Sequence, residues 1–342
     1  MSDKKFKYKT GLVLGKMYPP TKGHLYLIDT ALEYAEKVHI IVCHNSTQDI
    51  SGKDRTWVLK QIYHITRGLK DRVKIHSFCD DGLPQNESYC KTLDEFYSYW
   101  VPVVYDNVPE LDVVFTSEAY GDDFGRYLGV DHFLVDKARK RVNISATRVR
   151  ENPFKEWVYI PKKARYLFTK RVAIMGPESV GKSLLTEKLA EHFKTSMIHE
   201  WGRTVFERNG NKVSLDDFIK ISQLRQEDEN RAIEESNKLI ITDTEDITTY
   251  IFSKMYYPDT YKTIEPYFLE KIKKEKPYDL YILLKPDVPG FQDGTRQFLE
   301  ERWSHYEEIK LKLKALNVNF IEVGGGWAER FLWSKQEIEK LF

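Results

Sequence analysis

The chain has 342 residues, too many for one ordinary core, so two domains is the natural expectation. Its net charge of +1 creates no general field for nucleic acid or membrane, and its composition, rich in Tyr and Phe, is that of a soluble globular protein. Cys43, Cys79 and Cys90 make neither a metal nor a redox spacing nor an even disulfide set, which fits a reducing compartment. No apolar run follows MSDKKFKYK and none reaches membrane-spanning length, so the expected setting is cytoplasmic.

In chain order, GLVLG (Gly11 to Gly15) reads as the first strand, with no room before it for a helix-turn-helix. A Pro-containing loop follows, then a helix opening near Gly23-His24, with Leu25, Ile28, Ala31, Leu32 and Ala35 on one face. KVHIIVCH reads as a strand, DRTWVLKQIYHI as a helix, RVKIHSF as a strand, and the tyrosine-rich stretch from Ser88 to Trp100 as a helix. LDVVFTSE, ending in polar residues, and DHFLVD are further strands. This alternation predicts an α/β chain of doubly wound parallel sheets, with ligands at the carboxyl ends of the strands.

Two short patterns bracket this first half. Thr21-x-Gly23-His24 follows the strand that ends in Gly15. NISATRVR, Asn143 to Arg150, offers Ser145 as a helix cap that sets Arg148 and Arg150 near the first turns. Either pattern alone is an ordinary turn or cap. An imidazole at a helix N-terminus, a lysine and an arginine do suit attack on an α-phosphate, where catalysis is mostly positioning and charge stabilisation.

Glu151 to Lys170 carries Pro153 and Pro161 among basic residues and marks a connection. Its aromatic content predicts a packed junction rather than a loose tether. We therefore expect a first domain over 1–152, a packed linker over 153–169 and a second domain over 170–342.

The second half opens on the most specific pattern in the chain. GPESVGKS, Gly176 to Ser183, matches the phosphate-binding loop G-x-x-x-x-G-K-[ST]. It lies between the apolar run RVAIMG and a helix with Leu184, Leu185, Leu189 and Phe193 on one face, the context the motif requires. Gly176 and Gly181 let the backbone of the loop, Glu178 and Ser179 included, turn its N–H groups toward phosphate oxygens. The helix N-terminus adds partial positive charge. Lys182 is placed for the β/γ-phosphates, and the Ser183 hydroxyl for Mg²⁺. ATP and Mg²⁺ are thus the expected cofactors.

Further on, TSMIHE reads as a strand leading into Trp201-Gly202-Arg203, and Leu215 to Glu235 as a long helix whose charges form mostly a solvated face. KLIITDT ends in Asp243, the pattern of an acidic strand that holds Mg²⁺ directly or through water; Glu245 and Asp246 follow, and any of the three could serve. YDLYILLK is another buried strand. PDVPGFQDGTRQFLEERW resembles a lid whose Arg296 and Arg302 close on phosphates, the alternative being an ordinary exposed loop. VNFIEVGGGW gives a last strand and a glycine turn, and Ala328 to Leu341 a closing helix.

Taken together, GKMYPPTKGHLYLI, VFTSEAYGDDFGRYLG, NISATRVRENPFKEWVYIPKKARYLF, GPESVGKS, HEWGR, ITDTEDITT and PDVPGFQDGTR resemble the NadR-like bifunctional proteins, from about Gly11 to Arg296. In that family a nicotinamide mononucleotide adenylyltransferase domain precedes a ribosylnicotinamide kinase domain. The resemblance implies two reactions. The kinase moves the γ-phosphate of ATP to the 5′-hydroxyl of ribosylnicotinamide. The first domain then joins the mononucleotide to AMP from a second ATP, giving NAD and pyrophosphate. By position, the resemblance places Thr21, His24 and Lys16 at the ATP phosphates and Arg150 at the β/γ-phosphates. It places Gly15, Tyr18, Gly23, Ser145 and Thr147 along the nucleotide pocket. In the kinase it gives Lys182 and Ser183 to phosphate and Mg²⁺. Asp243 becomes metal ligand or base, and Glu200 the rival base. Arg203 joins Glu200 at the acceptor, and Asp293 and Arg296 fall in the lid.

Thr21 replaces the first histidine of the family's H-x-G-H form, and Gly290 stands where the lid commonly has a tryptophan, a contact that Phe291 could supply. The aromatic-rich stretch from Asp80 to Trp100 is a candidate to hold the pyridine ring. The partners expected are small molecules, with no nucleic acid and no membrane; a homo-oligomer stays open. Two other readings share the sequence features: a phosphopantetheine adenylyltransferase fused to a dephospho-coenzyme A kinase, and a nucleotide-sensing regulator with one idle domain.

Overall fold

The computed structural model describes residues 6–290 and 298–342. Phe291, Asp293 and Arg296 lie outside the described residues. The chain divides into two compact units, Met1–Leu167 and Phe168–Phe342. No described helix is long and apolar enough to cross a membrane.

The first unit alternates β1 (Tyr8–Gly15), α1 (Lys22–Tyr34), β2 (Ala35–His44), α2 (Gly52–Lys60), β3 (Val73–Cys79), α3 (Leu93–Asn107), β4 (Val113–Thr116), α4 (Gly121–Leu128), β5 (Asp131–Leu134) and α5 (Ala146–Glu151). Its five strands lie in the order β3-β2-β1-β4-β5, each pair parallel. On one face α3 and α4 press Tyr97, Trp100, Val104, Phe124 and Leu128 onto Leu12, Ile41 and Val114. A sheet covered on both faces needs near-continuous apolar strands, and all of β4 is buried. The chain leaves β1 toward β2 on one side and later returns to β4 on the other. The carboxyl ends of β1 and β4 therefore flank a switch point, where open sheets of this kind hold ligands.

The second unit contains β6 (Lys170–Met175), α6 (Lys182–Phe193), β7 (Ser196–Ile198), α7 (Trp201–Arg208), α8 (Leu215–Glu235), β8 (Leu239–Asp243), α9 (Asp246–Tyr256), α10 (Glu265–Lys274), β9 (Leu280–Leu284), α11 (Arg302–Ala315), β10 (Phe320–Val323) and α12 (Trp327–Glu339). Its sheet runs β10-β9-β6-β8-β7, again all parallel. Strands β8 and β9 are buried throughout, between α6 and α12 on one face and helices α8 to α11 on the other.

Two sequence expectations need correction and a third needs sharpening. The helix expected over Ser88 to Trp100 begins later, at Leu93, where the Thr92 hydroxyl accepts the Glu95 N–H at 3.1 Å. It continues through Pro102 to Asn107, giving up the one backbone bond that proline cannot donate. The strand expected over Thr195 to Glu200 shortens to Ser196–Ile198, because Glu200 is already the cap position of α7. The charges of α8 are not all solvated. Phe218, Ile221, Ser222, Arg225 and Glu229 form one buried stripe at helical spacing. There Arg225 meets Asp246 at 2.6 Å and Glu229 at 2.8 Å, and Arg171 meets Glu229 at 2.6 Å. Buried charges of this kind survive only when paired.

Candidate functional sites

At the switch point of the first unit lies a cavity of about 600 Å³. Gly15, Lys16, Tyr18, Thr21, Gly23, His24, Ser145, Thr147 and Arg150 all line it. The local chemistry explains how they are held. Thr21 caps α1 and is buried; its hydroxyl accepts the His24 N–H at 3.4 Å. In return the Thr21 N–H donates to His24 Nδ1 at 3.0 Å, a capping box with histidine as the third helical residue. An Nδ1 that accepts a backbone N–H leaves the ring proton on Nε2, so the imidazole is a donor. Burial, and then the nearby Arg139 charge, push its pKa down to about 4, so the ring is neutral at pH 7. Threonine in place of the family's first histidine thus performs the capping that fixes His24.

Ser145 caps α5 by accepting the Arg148 N–H at 3.2 Å. The two arginines that follow diverge. Arg148 pairs with the buried Glu156 at 2.7 Å. Arg150 donates to the Tyr18 carbonyl and, at 3.2 Å, to the Thr147 hydroxyl, with its guanidinium 4.3 Å from the Tyr18 ring centre. Beneath Lys16 lies Arg55, fully buried, which donates to the carbonyls of Lys16 (2.7 Å), Cys43 (3.3 Å) and Ser51 (3.2 Å). It ties the turn after β1 to the end of β2 and the start of α2.

Sequence reasoning did not single out Glu118, Tyr120, Asp136 and Arg139, which also line this cavity. Arg139 pairs with Glu118 at 3.0 Å, and the Asp136 carboxylate accepts the N–H groups of Lys140 (2.8 Å) and Arg141 (2.9 Å). The signal was present in the polar residues just past β4 and β5, at the carboxyl edge of the sheet. In the aromatic stretch offered for the pyridine ring, Tyr97 and Trp100 are buried, with Trp100 Nε1 donating to the Pro84 carbonyl at 3.1 Å, while Tyr89 and Tyr99 are exposed. Tyr120 is the aromatic residue at the cavity wall that comes from past β4.

In the second unit the loop from Gly176 to Ser183 joins β6 to α6. Gly176 has φ +144°, and a Cβ there would lie 2.9 Å from the Leu284 carbonyl oxygen; Gly181 has φ +84° and lies against the Trp327 ring. Neither position admits a side chain. Lys182 is buried, and its ammonium donates to the Pro177 carbonyl at 2.9 Å. Asp243, at the end of β8, is buried beside the Ser183 hydroxyl and accepts a hydrogen bond from the Thr244 hydroxyl at 3.1 Å. Burial, and then the Glu200 carboxylate, raise its pKa to about 6, against the pull of Lys182 and these hydroxyls.

The two neighbouring carboxylates are committed elsewhere. Glu245 caps α9, accepting N–H bonds from Ile247 (2.6 Å) and Thr248 (2.8 Å), and burial raises it to about 7. Asp246 pairs with Arg225. Of the three acids at and just past the end of β8, Asp243 is the one placed against the loop. Beside it Glu178, Glu200 and Arg203 line a pocket walled by Trp201, Phe206, Phe218, Phe252 and Tyr256. The Glu178 carboxylate accepts the Phe298 N–H at 3.1 Å. These aromatic walls come from α7, α8 and α9, and of them only Trp201, in HEWGR, lay in a motif.

Comparison with known proteins agrees with the α/β fold of both units. Residues 12–152 match the cytidylyltransferase-like family and residues 171–330 an AAA domain. The trifunctional NAD biosynthesis/regulator protein NadR of Salmonella typhimurium is 31% identical over 334 residues, 92% of this chain and 78% of that protein. A crystal structure of a NadR protein in complex with NR superposes with a TM-score of 0.80 at 20% identity, over 99% of this chain and 98% of the other. Another, in complex with NAD and AMP-PNP, gives 0.76 at 20% identity, over 97% and 96%. At that identity the two structures speak for the fold.

Proposed function

Because the chain belongs to the NadR family of NAD biosynthesis proteins, we propose that it is a bifunctional transferase that makes nicotinamide mononucleotide from ribosylnicotinamide and then NAD from that mononucleotide, using ATP twice. The observation that carries this reading is the pairing, in one chain, of two nucleotide-type sites at the carboxyl ends of two parallel sheets.

In the first unit, a phosphate oxygen of the mononucleotide attacks the α-phosphorus of ATP, and the bond to pyrophosphate breaks. The nucleophile is already ionised, so the site needs donors and cations rather than a base. His24, neutral and protonated on Nε2, donates to the oxygens of the transferring phosphate. Lys16 and Arg150 take the charge of the leaving pyrophosphate. Gly15, Tyr18, Thr21, Gly23, Ser145 and Thr147 line the nucleotide, and Tyr120 is the candidate surface for the pyridine ring.

In the second unit the ribosyl 5′-hydroxyl oxygen attacks the γ-phosphorus, the bond to ADP breaks, and the hydroxyl proton passes to a carboxylate. Glu200 is that base, with Arg203 beside it at the acceptor. Gly176, Glu178, Ser179 and Gly181 shape the loop around the phosphates, and Lys182 supplies positive charge there. Asp293 and Arg296 are assigned to the lid by sequence alone.

Mg²⁺ suits the oxygen donors present: the Ser183 hydroxyl and the Asp243 carboxylate, whose Oδ2 is buried with no hydrogen-bond partner among the described residues. Bound there, it would neutralise phosphate charge.

The test is to incubate the protein with ATP, Mg²⁺ and ribosylnicotinamide and follow mononucleotide and NAD with time. Appearance of both, mononucleotide first, is expected. Mononucleotide alone would remove the adenylyl assignment, and neither product would remove the reading.

A further inference from the structure

A phosphate-binding loop reads phosphates through its backbone and leaves the base of the nucleotide to other residues. On the kinase reading the γ-phosphate faces the pocket of Glu200 and Arg203, which leaves for the base the side of the loop where Gly181 meets the start of α12. One aromatic side chain is built into that place. Trp327 is the first residue of α12, and its six-membered ring lies directly against Gly181: a Cβ on that glycine would fall 2.1 Å from the ring. Yet the Trp327 side chain is 50% exposed, and Leu184, the residue after Ser183, is 46% exposed. With Ala328 and Phe331 these two bound a mainly apolar groove of about 620 Å³ between α6 and α12.

The ring is also held. Arg330 is fully buried, with its guanidinium 5.6 Å from the Trp327 ring centre. It donates to the carbonyls of Val180 in the loop (3.0 Å), Lys285 after β9 (2.9 Å) and Gly325 after β10 (2.8 Å). It also pairs with Asp287, whose carboxylate accepts the Gly325 N–H at 2.8 Å. The arginine thus locks the loop and the two strand ends into one frame. A surface tryptophan with no task needs no such frame; a stacking surface does, since preorganisation is what makes stacking effective.

Resting on the kinase reading of this unit, we propose that Trp327, with Leu184, forms the stacking platform for the adenine of the kinase's ATP. Contact through a π-face tolerates either purine and disfavours the smaller pyrimidines, so the platform sets a preference for purine donors.

The experiment is steady-state kinase assay of the full chain, titrating ATP and then CTP at saturating ribosylnicotinamide, and ribosylnicotinamide at saturating ATP, with Trp327→Ala and Trp327→Phe checked for folding by circular dichroism. Trp327→Ala should raise KM for ATP about tenfold or more, the scale of one lost base–aromatic stack. It should hold kcat and the KM for ribosylnicotinamide, and bring the ATP and CTP efficiencies closer together. Trp327→Phe should recover most of the loss. A folded Trp327→Ala with unchanged KM for ATP overturns the proposal, as does a change confined to the KM for ribosylnicotinamide. If the wild-type chain makes no mononucleotide, the kinase reading fails instead. The platform is then read from the fluorescence difference between wild type and Trp327→Phe. A response to ATP and none to inorganic tripolyphosphate supports it; equal responses overturn it. That measurement also serves if Trp327→Ala does not fold.

Discussion

The two units share a plan, a parallel sheet with a nucleotide-type site at its carboxyl edge, and differ in the charge they place there. The first site gathers Lys16, Arg139 and Arg150 around a neutral imidazole, and its acid Glu118 is already paired to Arg139. The second sets Lys182 against two acids, Glu200 and Asp243, with Asp243 raised to about 6. The difference follows from the nucleophile each reaction needs. A phosphate monoester arrives ionised and asks for cations and donors; a ribose hydroxyl must lose a proton and asks for a carboxylate. Similar folds thus serve different chemistry through the side chains at one edge.

The strongest way to break this comparison is to remove one charge from each site. Lys182→Ala should cost the kinase reaction about 10³-fold or more, the scale of a lost transition-state cation in phosphoryl transfer, and leave adenylyl transfer alone. His24→Ala should cost adenylyl transfer about 10²- to 10³-fold and leave the kinase alone. Separate assays of mononucleotide and NAD formation decide it. Loss of both activities from either substitution, with the fold intact, would sink the two-site assignment.

The next test sharpens the roles of the two acids. Glu200→Gln should lower kinase kcat about 10²- to 10³-fold, as expected for a lost general base, at any Mg²⁺ concentration. Asp243→Asn should also be slow, but part of its rate should return as Mg²⁺ is raised. Mg²⁺ titration of both variants makes the distinction, and the opposite pattern would exchange the roles.

How far such roles can be read from sequence depends on how local their cause is. The loop from Gly176 to Ser183, the helix start near Gly23-His24 and the Ser145 cap are fixed by neighbours within a few residues and are legible; the capping box between Thr21 and His24 is seen only in the structure. The parallel α/β order was legible too, because buried strands such as β8 and β9 are continuous apolar runs. Arg139, Glu118 and Tyr120 reach the cavity from separate loops, brought together only by strand order. Arg225 and Glu229 are exceptions to the mostly solvated face expected of α8, because charge at helical spacing looks the same whether the stripe faces water or a buried partner. The partners, Asp246, Arg171 and Tyr278, lie far along the chain.

That cluster supplies a stability test of the same contrast between units. In the first unit the buried Arg55 makes its hydrogen bonds to neutral groups: the Gln48 side chain and backbone carbonyls. In the second, Arg225 and Arg171 hold Glu229 down to about 2 despite its burial. Arg225→Ala leaves Glu229 and Asp246 buried without their main counter-charge. It should destabilise the second unit by about 3–5 kcal/mol, seen as an early melting transition with loss of the kinase before adenylyl transfer. Coincident loss of both activities would mean that the units do not melt separately.

The smallest expected effect concerns pH and the first site. His24 sits near pKa 4, lowered first by burial and then by Arg139, against an ordinary value of 6.5. A group whose folded pKa is depressed in this way binds its proton more readily when the chain is unfolded. Its contribution to stability is therefore complete above pH 6.5 and drains as pH falls from 6.5 toward about 4. Adenylyl transfer should show no imidazole step near pH 6.5, because the ring stays neutral through that range. Melting temperature should fall with acid below pH 6.5, and His24→Gln should flatten part of that slope. Arg139→Met removes one of the two causes, so it should move the His24 titration upward while burial keeps it below 6.5. A rate step at pH 6.5 in the wild-type enzyme, absent from His24→Gln, would instead show a charged imidazole at work and would erase the contrast drawn between the two sites.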